Sequence, residues 1–231
     1  MGLQSVTLTS FVNAVGYRLI PSKFPPIDLY EDVASADELD AVYAVEALTN
    51  PRLVEQVGRL GLVPKEDWLV GIPHCSYVMA AFTHVSPNGA RFTNGFFGGY
   101  YCAASINTAI KETVYHMERV LGYTNEGPQR VQMRALFARF NAQLVDIRNE
   151  PYLSSSLYHP TAYADAQAFG VTQQQASQEG IVYRSVRHEG HDCYVLFKPR
   201  LVSEVHQTAH YDYCWDGEAI SNVLKLSMLL E

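Results

Sequence analysis

GARFTNGFFGGYYCAASINTAIKETVYH, residues 89–116, decides how the chain is read. Turn signals stand at Asn88-Gly89 and Asn94-Gly95, so 86–95 is a loop. GGYYCAAS is short and aromatic and predicts a strand, in which Tyr100 and Tyr101 point to opposite faces. Gly98-Gly99 permits close backbone approach just ahead of it. Ser105 then suits the N-cap of a helix, with Ile106, Ala109, Ile110, Val114, Met117 and Leu121 at helical apolar spacing. Thr108, Glu112, Tyr115, His116 and Arg119 share another face of that helix. A solvated charged face is the plain alternative. The Tyr pair argues against it, because one of the two must face what Glu112 faces.

Upstream, VGYRLIPS (15–22) predicts a strand stopped by Pro21, followed by a Pro-rich connection. Ser35 and Glu38 form a capping box ahead of the helical LDAVYAVEAL. Asn50-Pro51 breaks that helix, RLVEQVGRL (52–60) suits a second short one, and SYVMAAFTHV (76–85) an apolar one. Downstream, VQMRALFARF and QLVDIR predict two strands, and TAYADAQAFGVTQQQASQEG a helix ending near Gly180. GIVYRSVR and CYVLFKP predict two more strands joined by a tight turn at Glu189-Gly190, with Tyr183, Ser185 and Arg187 on one face. Strands and helices mix, with late antiparallel pairing, so the fold class is α+β.

At 231 residues, 48% hydrophobic and 18% charged, the chain can bury a sizeable core. A net charge of -7 disfavours nucleic acid as a partner, and an anionic ligand must be met by local cations. The beginning of the sequence shows no basic region, long apolar run or cleavage signal, and no stretch approaches the roughly 18 apolar residues of a membrane span. A cytoplasmic location without membrane attachment is expected.

Arg91, in the Gly-flanked loop, and Arg18, on the first strand, are candidate guanidinium forks for phosphate or carboxylate; surface charges are the alternative. Ser185 has no G-x-S-x-G elbow, which disfavours a hydrolase-type nucleophile. His188, His191 and Cys193, with His206, His210 and Cys214, raise a metal-dependent hydrolase as a reading, but their spacing matches no common ligand pattern, so no metal is expected. There is no G-x-G-x-x-G and no P-loop, so a dinucleotide would not be held in the Rossmann manner.

Taken together, YRLIP, then GARFTNG, GGYYCAAS and AIKET, then GIVYRSVR and CYVLFKP resemble the RES domain, from about Tyr17 to Pro199. That is the family of RES–Xre toxin–antitoxin toxins, similar to diphtheria-type ADP-ribosylating enzymes. The resemblance implies one RES-type domain over 1–231, an ADP-ribosyltransferase-like mixed sheet with flanking helices, and a mainly helical extension at about 30–85. It implies NAD as substrate, cleaved between nicotinamide and ribose by hydrolysis or phosphorolysis. By motif position it carries over Glu112, Arg91 and Ser185 as catalytic, and Arg18, Arg91, Tyr101 and Ser185 as NAD-binding. The sequence departs from the family pattern at Thr93 and Asn94, where Ser and Asp are expected.

A mono-ADP-ribosyltransferase acting on a protein acceptor is the alternative within that chemistry, and a catalytically inert interaction module with the same fold is the alternative outside it. An Xre-like antitoxin is the implied partner.

Overall fold

The computed structural model describes residues 6–24, 28–49, 55, 57–124 and 126–227. Strand β1 (Leu8–Pro21) leads to helices α1 (Asp28–Glu31) and α2 (Ala36–Thr49). Short 3-10 turns at Leu60–Leu62 and Lys65–Asp67 precede α3 (Ser76–Thr83). Then come β2 (Tyr100–Ala103), α4 (Ile106–Thr124), β3 (Gln129–Asp146) and α5 (Ala164–Gln175). Four strands close the described chain: β4 (Gly180–Arg184), β5 (Asp192–Leu196), β6 (Val202–Trp215) and β7 (Ile220–Leu226).

The seven described strands form one sheet in the order β1-β2-β5-β4-β3-β6-β7, and β1 also pairs with β3. The pairings β1–β2, β2–β5, β5–β4, β4–β3 and β3–β1 thus close a ring, from which β6 and β7 extend. Only β3–β4 is parallel among these pairings, so the sheet is mixed and the expected α+β class holds.

Strand alternation divides the interior into two cores. Tyr100, Cys102, Val182, Tyr194, Phe140 and Leu144 face one side, where Tyr30, Leu39, Val78, Met79 and Phe82 of α1–α3 cover them. Ala103, Ile181, Tyr183, Cys193 and Met133 face the other, covered by α4 through Ala109, Ile110, Val114 and Met117, and by Ala166 of α5. The apolar stripe read from the sequence of α4 is therefore the stripe that packs.

The Ser105 cap holds, and the Ser35–Glu38 box holds with its return bond shifted by one residue, to the Ala34 N–H. The Glu38 N–H donates to Ser35 Oγ (3.2 Å), while Glu38 Oε2 takes the Ala34 N–H (2.7 Å). The Thr108 N–H donates to Ser105 Oγ (3.2 Å), fixing the start of α4. The short helix expected at 52–60 lies largely outside the described residues.

Several boundaries differ from expectation, each for a physical reason. β1 begins well before Val15, because its register against β3 shifts between Phe11 and Ala14 and Asn13 takes a positive φ of 52°. The bulge breaks the alternation by which a strand is recognised. The two strands expected at 131–140 and 143–148 are one continuous β3, with Asn141 answering the bulge by accepting the Asn13 N–H (2.8 Å). β4 stops at Arg184, so Ser185 lies in the connection rather than on the strand, and that connection runs through 185–191 instead of a two-residue turn. β6 and β7 were not expected: His206, Gln207 and His210 make β6 read as polar, since much of it is exposed.

The open end of the ring is tied by charge. Asp146, its side chain 6% exposed, accepts from Thr9 Oγ1 (2.8 Å) and from Arg148 Nε (2.9 Å) and Nη2 (2.5 Å). Arg148 Nη1 reaches Asp192 Oδ2 (2.8 Å), and Arg184 holds the other Asp192 oxygen. Hydrogen bonding to Arg148, opposed by burial, lowers the Asp146 pKa to about 2. A folded-state pKa below the unfolded value of about 3.9 means stability present above pH about 4 and lost as pH falls through about 2. Asp146→Asn is therefore expected to lower Tm at pH 7 by several degrees, at roughly 2–4 °C per kcal/mol in a chain of this size. Its Tm should also fall less steeply between pH 4 and 2. Identical acid limbs in a thermal-melt series would remove Asp146 from the account.

Candidate active site

A cleft of about 630 Å³ opens between α4, the 88–91 loop and the segment leading into α5, a size that suits a small-molecule site. Arg18, Arg91, Tyr101, Glu112, His116 and Tyr163 all line it. Of the five residues singled out from the sequence, four are thus on its wall. Ser185 stands behind Glu112.

Glu112 projects from the polar face of α4. Its Oε1 accepts from Ser185 Oγ at 2.6 Å, and the Cys193 thiol lies 3.9 Å from the same oxygen. Ser185 Oγ in turn accepts the N–H groups of Arg187 (3.1 Å) and His188 (2.9 Å). With two backbone donors fixing the lone pairs, the hydroxyl proton is directed at the carboxylate. Glu112 Oε2 has no hydrogen-bond partner among the described residues, and Glu112 lines the cleft.

Ser185 is 5% exposed and acts on Glu112. A hydrogen bond to a charged group is worth about 1.5–3 kcal/mol. Ser185→Ala is expected to lower turnover at saturating substrate roughly tenfold through a less constrained carboxylate, while Ser185→Thr, which keeps a hydroxyl, restores most of it. A Ser185→Ala protein with unchanged turnover would show that Glu112 needs no such tether.

Tyr101 presents its ring to the cleft, and its hydroxyl accepts the Phe92 N–H (2.9 Å) and lies 3.2 Å from Thr93 Oγ1. Burial pushes the phenol up to about 12. It is a neutral wall that staples the loop to β2. Tyr100 points the other way and is fully buried in the opposite core. Gly98 does make a close approach, but to α3: a Cβ there would lie 2.4 Å from the Ala81 carbonyl oxygen.

Arg91 is 8% exposed, and its Nη1 donates to the carbonyls of Leu157 (3.1 Å) and His159 (2.9 Å). The guanidinium also lies 4.6 Å from the Tyr163 ring centroid. Arg91 is accordingly both a cleft cation and a pin for the 157–163 segment. Arg18 Nη1 donates to the Tyr101 carbonyl (2.9 Å), its guanidinium lies 5.2 Å from the Tyr100 ring, and its buried Nε has no partner among the described residues.

The sequence reading missed Tyr163 and Gln167, both of which line the cleft. Gln167 Nε2 donates to the carbonyls of Asn88 (2.9 Å) and Ala90 (3.0 Å), locking the loop to α5. Gly170 lets α5 press on the same loop, since a Cβ there would fall 1.9 Å from the Phe92 carbonyl oxygen. No motif marks these positions; they become legible only when α5 is placed against the loop.

The histidines named for a metal reading are engaged otherwise. His188 Nδ1 pairs with Thr108 Oγ1 (3.0 Å), and the His188 and His191 rings stack at 3.6 Å. His210 lies between Ser22 and Gln207. Among the described residues no three His, Cys, Asp or Glu side chains gather as a metal site.

The chain is similar to known proteins in sequence and in fold. An uncharacterized protein of Sinorhizobium fredii, y4oC, is 28% identical over 205 residues, covering 89% of this chain and 84% of that protein. Among solved structures, a chain in the crystal structure of the M. tuberculosis MbcT–MbcA toxin–antitoxin complex is a distant likeness. It has 10% identity and a TM-score of 0.45, with coverage of 90% of this chain and 86% of that one. The RES domain family matches residues 68–216. That span is more than half of the chain, from just before α3 to the end of β6, and it takes in Arg91, Tyr101, Glu112 and Ser185; the chain belongs to the RES-domain family.

Proposed function

We propose that the protein cleaves the nicotinamide–ribose bond of NAD, by hydrolysis or phosphorolysis, as the toxin of a toxin–antitoxin module. The observation that carries this reading is the Glu112 carboxylate, with one oxygen tethered at 2.6 Å by Ser185, the other unpaired among the described residues, and a cleft in front lined by Tyr101, Arg18 and Arg91. Loss of nicotinamide builds positive charge on the ribose ring in an oxocarbenium-like transition state. A fixed carboxylate stabilises that charge more than it stabilises the ground state, and bonds to the ribose 2-hydroxyl strengthen as the charge develops.

The remaining wall residues suit the rest of the ligand. Tyr101 and Tyr163 offer aromatic surfaces to nicotinamide or adenine. After their carbonyl bonds are counted, Arg91 keeps Nε and Nη2 and Arg18, whose Nε is buried, keeps Nη2, as donors for a diphosphate. In a chain of net charge -7 these cations make the cleft a local exception.

An enzyme that consumes NAD harms its own cell unless restrained. The reading therefore includes an inhibitory protein partner, of the Xre-like antitoxin kind, in the cytoplasm. Incubation of the purified chain with NAD tests the chemistry. Nicotinamide with ADP-ribose marks hydrolysis, phosphate-dependent ADP-ribose-1″-phosphate marks phosphorolysis, and label on a second protein marks ADP-ribosyl transfer. NAD left intact under all three conditions would leave the inert interaction module as the better reading.

A further inference from the structure

His116 lies one helical turn beyond Glu112 on α4 and lines the same cleft. Side chains four residues apart on a helix are neighbours, about 5–6 Å apart at Cβ. Glu112 is tethered to Ser185, and Arg91 and Arg18 are each tied to backbone carbonyls. The imidazole is different: it makes a ring contact with Tyr115 at 5.3 Å, and neither ring nitrogen has a hydrogen-bond partner among the described residues. A side chain with a free base nitrogen, beside the carboxylate that faces the ribose, is placed to receive a proton from whatever attacks there.

Resting on the NAD reading above, we propose that His116 is a further catalytic residue, the general base that takes the proton from the attacking water during hydrolysis. The balance is complete without another reactant. The C–N bond between ribose and nicotinamide breaks with its electron pair going to the nicotinamide nitrogen, which leaves neutral. The water oxygen forms the new bond to the anomeric carbon, one of its protons passes to His116, and the imidazolium returns that proton to solvent.

The surroundings keep the imidazole in its basic form near neutral pH. Desolvation lowers its pKa; Glu112 on the same helix opposes this, while Arg119 on α4, Arg187 from the β4–β5 connection and Arg91 from the 88–91 loop add to the lowering. Cleft water reaches the side chain even though protein crowds the ring, as expected for a group on the wall of an open cleft. Exposure of this kind also means that its replacement leaves the fold unburdened.

The role separates acceptors. Water must lose a proton, whereas an anion such as azide need not. Because the bond to the nucleophile is little formed in an oxocarbenium-like transition state, the contribution falls at or below the low end of the usual 10²–10⁴ for a positioned base. The test compares wild type with His116→Asn and His116→Gln, with NAD turnover followed from pH 5 to 8 in water alone and with added azide, and Tm measured in parallel.

The expected result is hydrolysis slowed roughly tenfold to 10²-fold in both variants, with the acid limb below pH about 6.5 lost or displaced. Azide-dependent turnover and Tm should match wild type. Wild-type hydrolysis rates with an unchanged acid limb, or equal losses with water and with azide, would overturn the assignment while leaving NAD cleavage standing. Wild-type turnover only when phosphate is added would overturn the assignment of His116 alone, and a wild-type chain that turns over no NAD in water, azide or phosphate would overturn both; each outcome shows before any variant is compared.

Discussion

Glu112→Gln is expected to reduce NAD cleavage by on the order of 10³-fold, with Tm held within a degree or two. Gln is nearly isosteric, and its amide oxygen can still accept the Ser185 hydroxyl now found at 2.6 Å. The backbone donors from Arg187 and His188 that fix Ser185 are untouched. What the substitution removes is the negative charge, and only the transition state needs that charge strongly, because only there is the ribose ring cationic. The loss should therefore fall on kcat, with KM for NAD changed little. Glu112→Asp makes the complementary probe. It keeps the charge but withdraws it by one methylene from both Ser185 and the cleft, so it should be impaired for a geometric reason. Turnover near wild type by a folded Glu112→Gln protein would take Glu112 out of the chemistry.

The parts of the fold legible in the sequence are those where one local rule acts alone. Ser105 caps α4 by its own hydroxyl, and the apolar stripe from Ile106 to Leu121 faces the core because nothing competes with a regular 3.6-residue period. Tyr100 and Tyr101 diverge because β2 is a plain strand. The illegible parts are those where a second rule interferes. Asn13 takes a left-handed conformation at a bulge, which resets the alternation of β1 and hides its first half. β6 pairs with β3 on one edge and β7 on the other, yet it reads as polar, because backbone pairing rather than side-chain burial holds much of it.

The site divides the same way. Arg91, Tyr101 and Glu112 could be named because a loop, a strand and a helix follow one another within residues 89–116. Tyr163 and Gln167 could not, because they reach the cleft only through the packing of α5 against residues 88–92, whose hydrogen bonds from Gln167 span 77 and 79 residues. Ser185 was named, but its placement behind Glu112 depends on where β4 ends, and strand ends are the least regular part of any alternation.

Arg91→Lys is expected to lower Tm by several degrees and to raise KM for NAD by about tenfold to 10²-fold, with both changes arising from one side chain. Nη1 of Arg91 bonds two carbonyls at once, those of Leu157 and His159, from a position only 8% exposed. Its planar face meanwhile lies against the Tyr163 ring. Nε and Nη2 take no hydrogen-bond partner among the described residues, and Arg91 lines the cleft. A lysine ammonium can replace one of these functions at a time. If it bonds the carbonyls, it leaves the cleft without a fork; if it turns to a phosphate, it leaves two backbone acceptors short of a donor, at a cost of about 1–3 kcal/mol for each buried group left unsatisfied. The 157–163 segment, freed from its pin, would also carry Tyr163 away from the wall. Melting curves and NAD titrations on the same preparations separate the contributions. A fall in Tm without a change in NAD affinity would confine Arg91 to holding that segment. A loss of affinity at constant Tm would make it a ligand fork alone, and the dual role would then be wrong. The expectation of both together follows from the geometry: a single guanidinium bonds the carbonyls of 157 and 159, lies over the Tyr163 ring and belongs to a residue of the cleft wall.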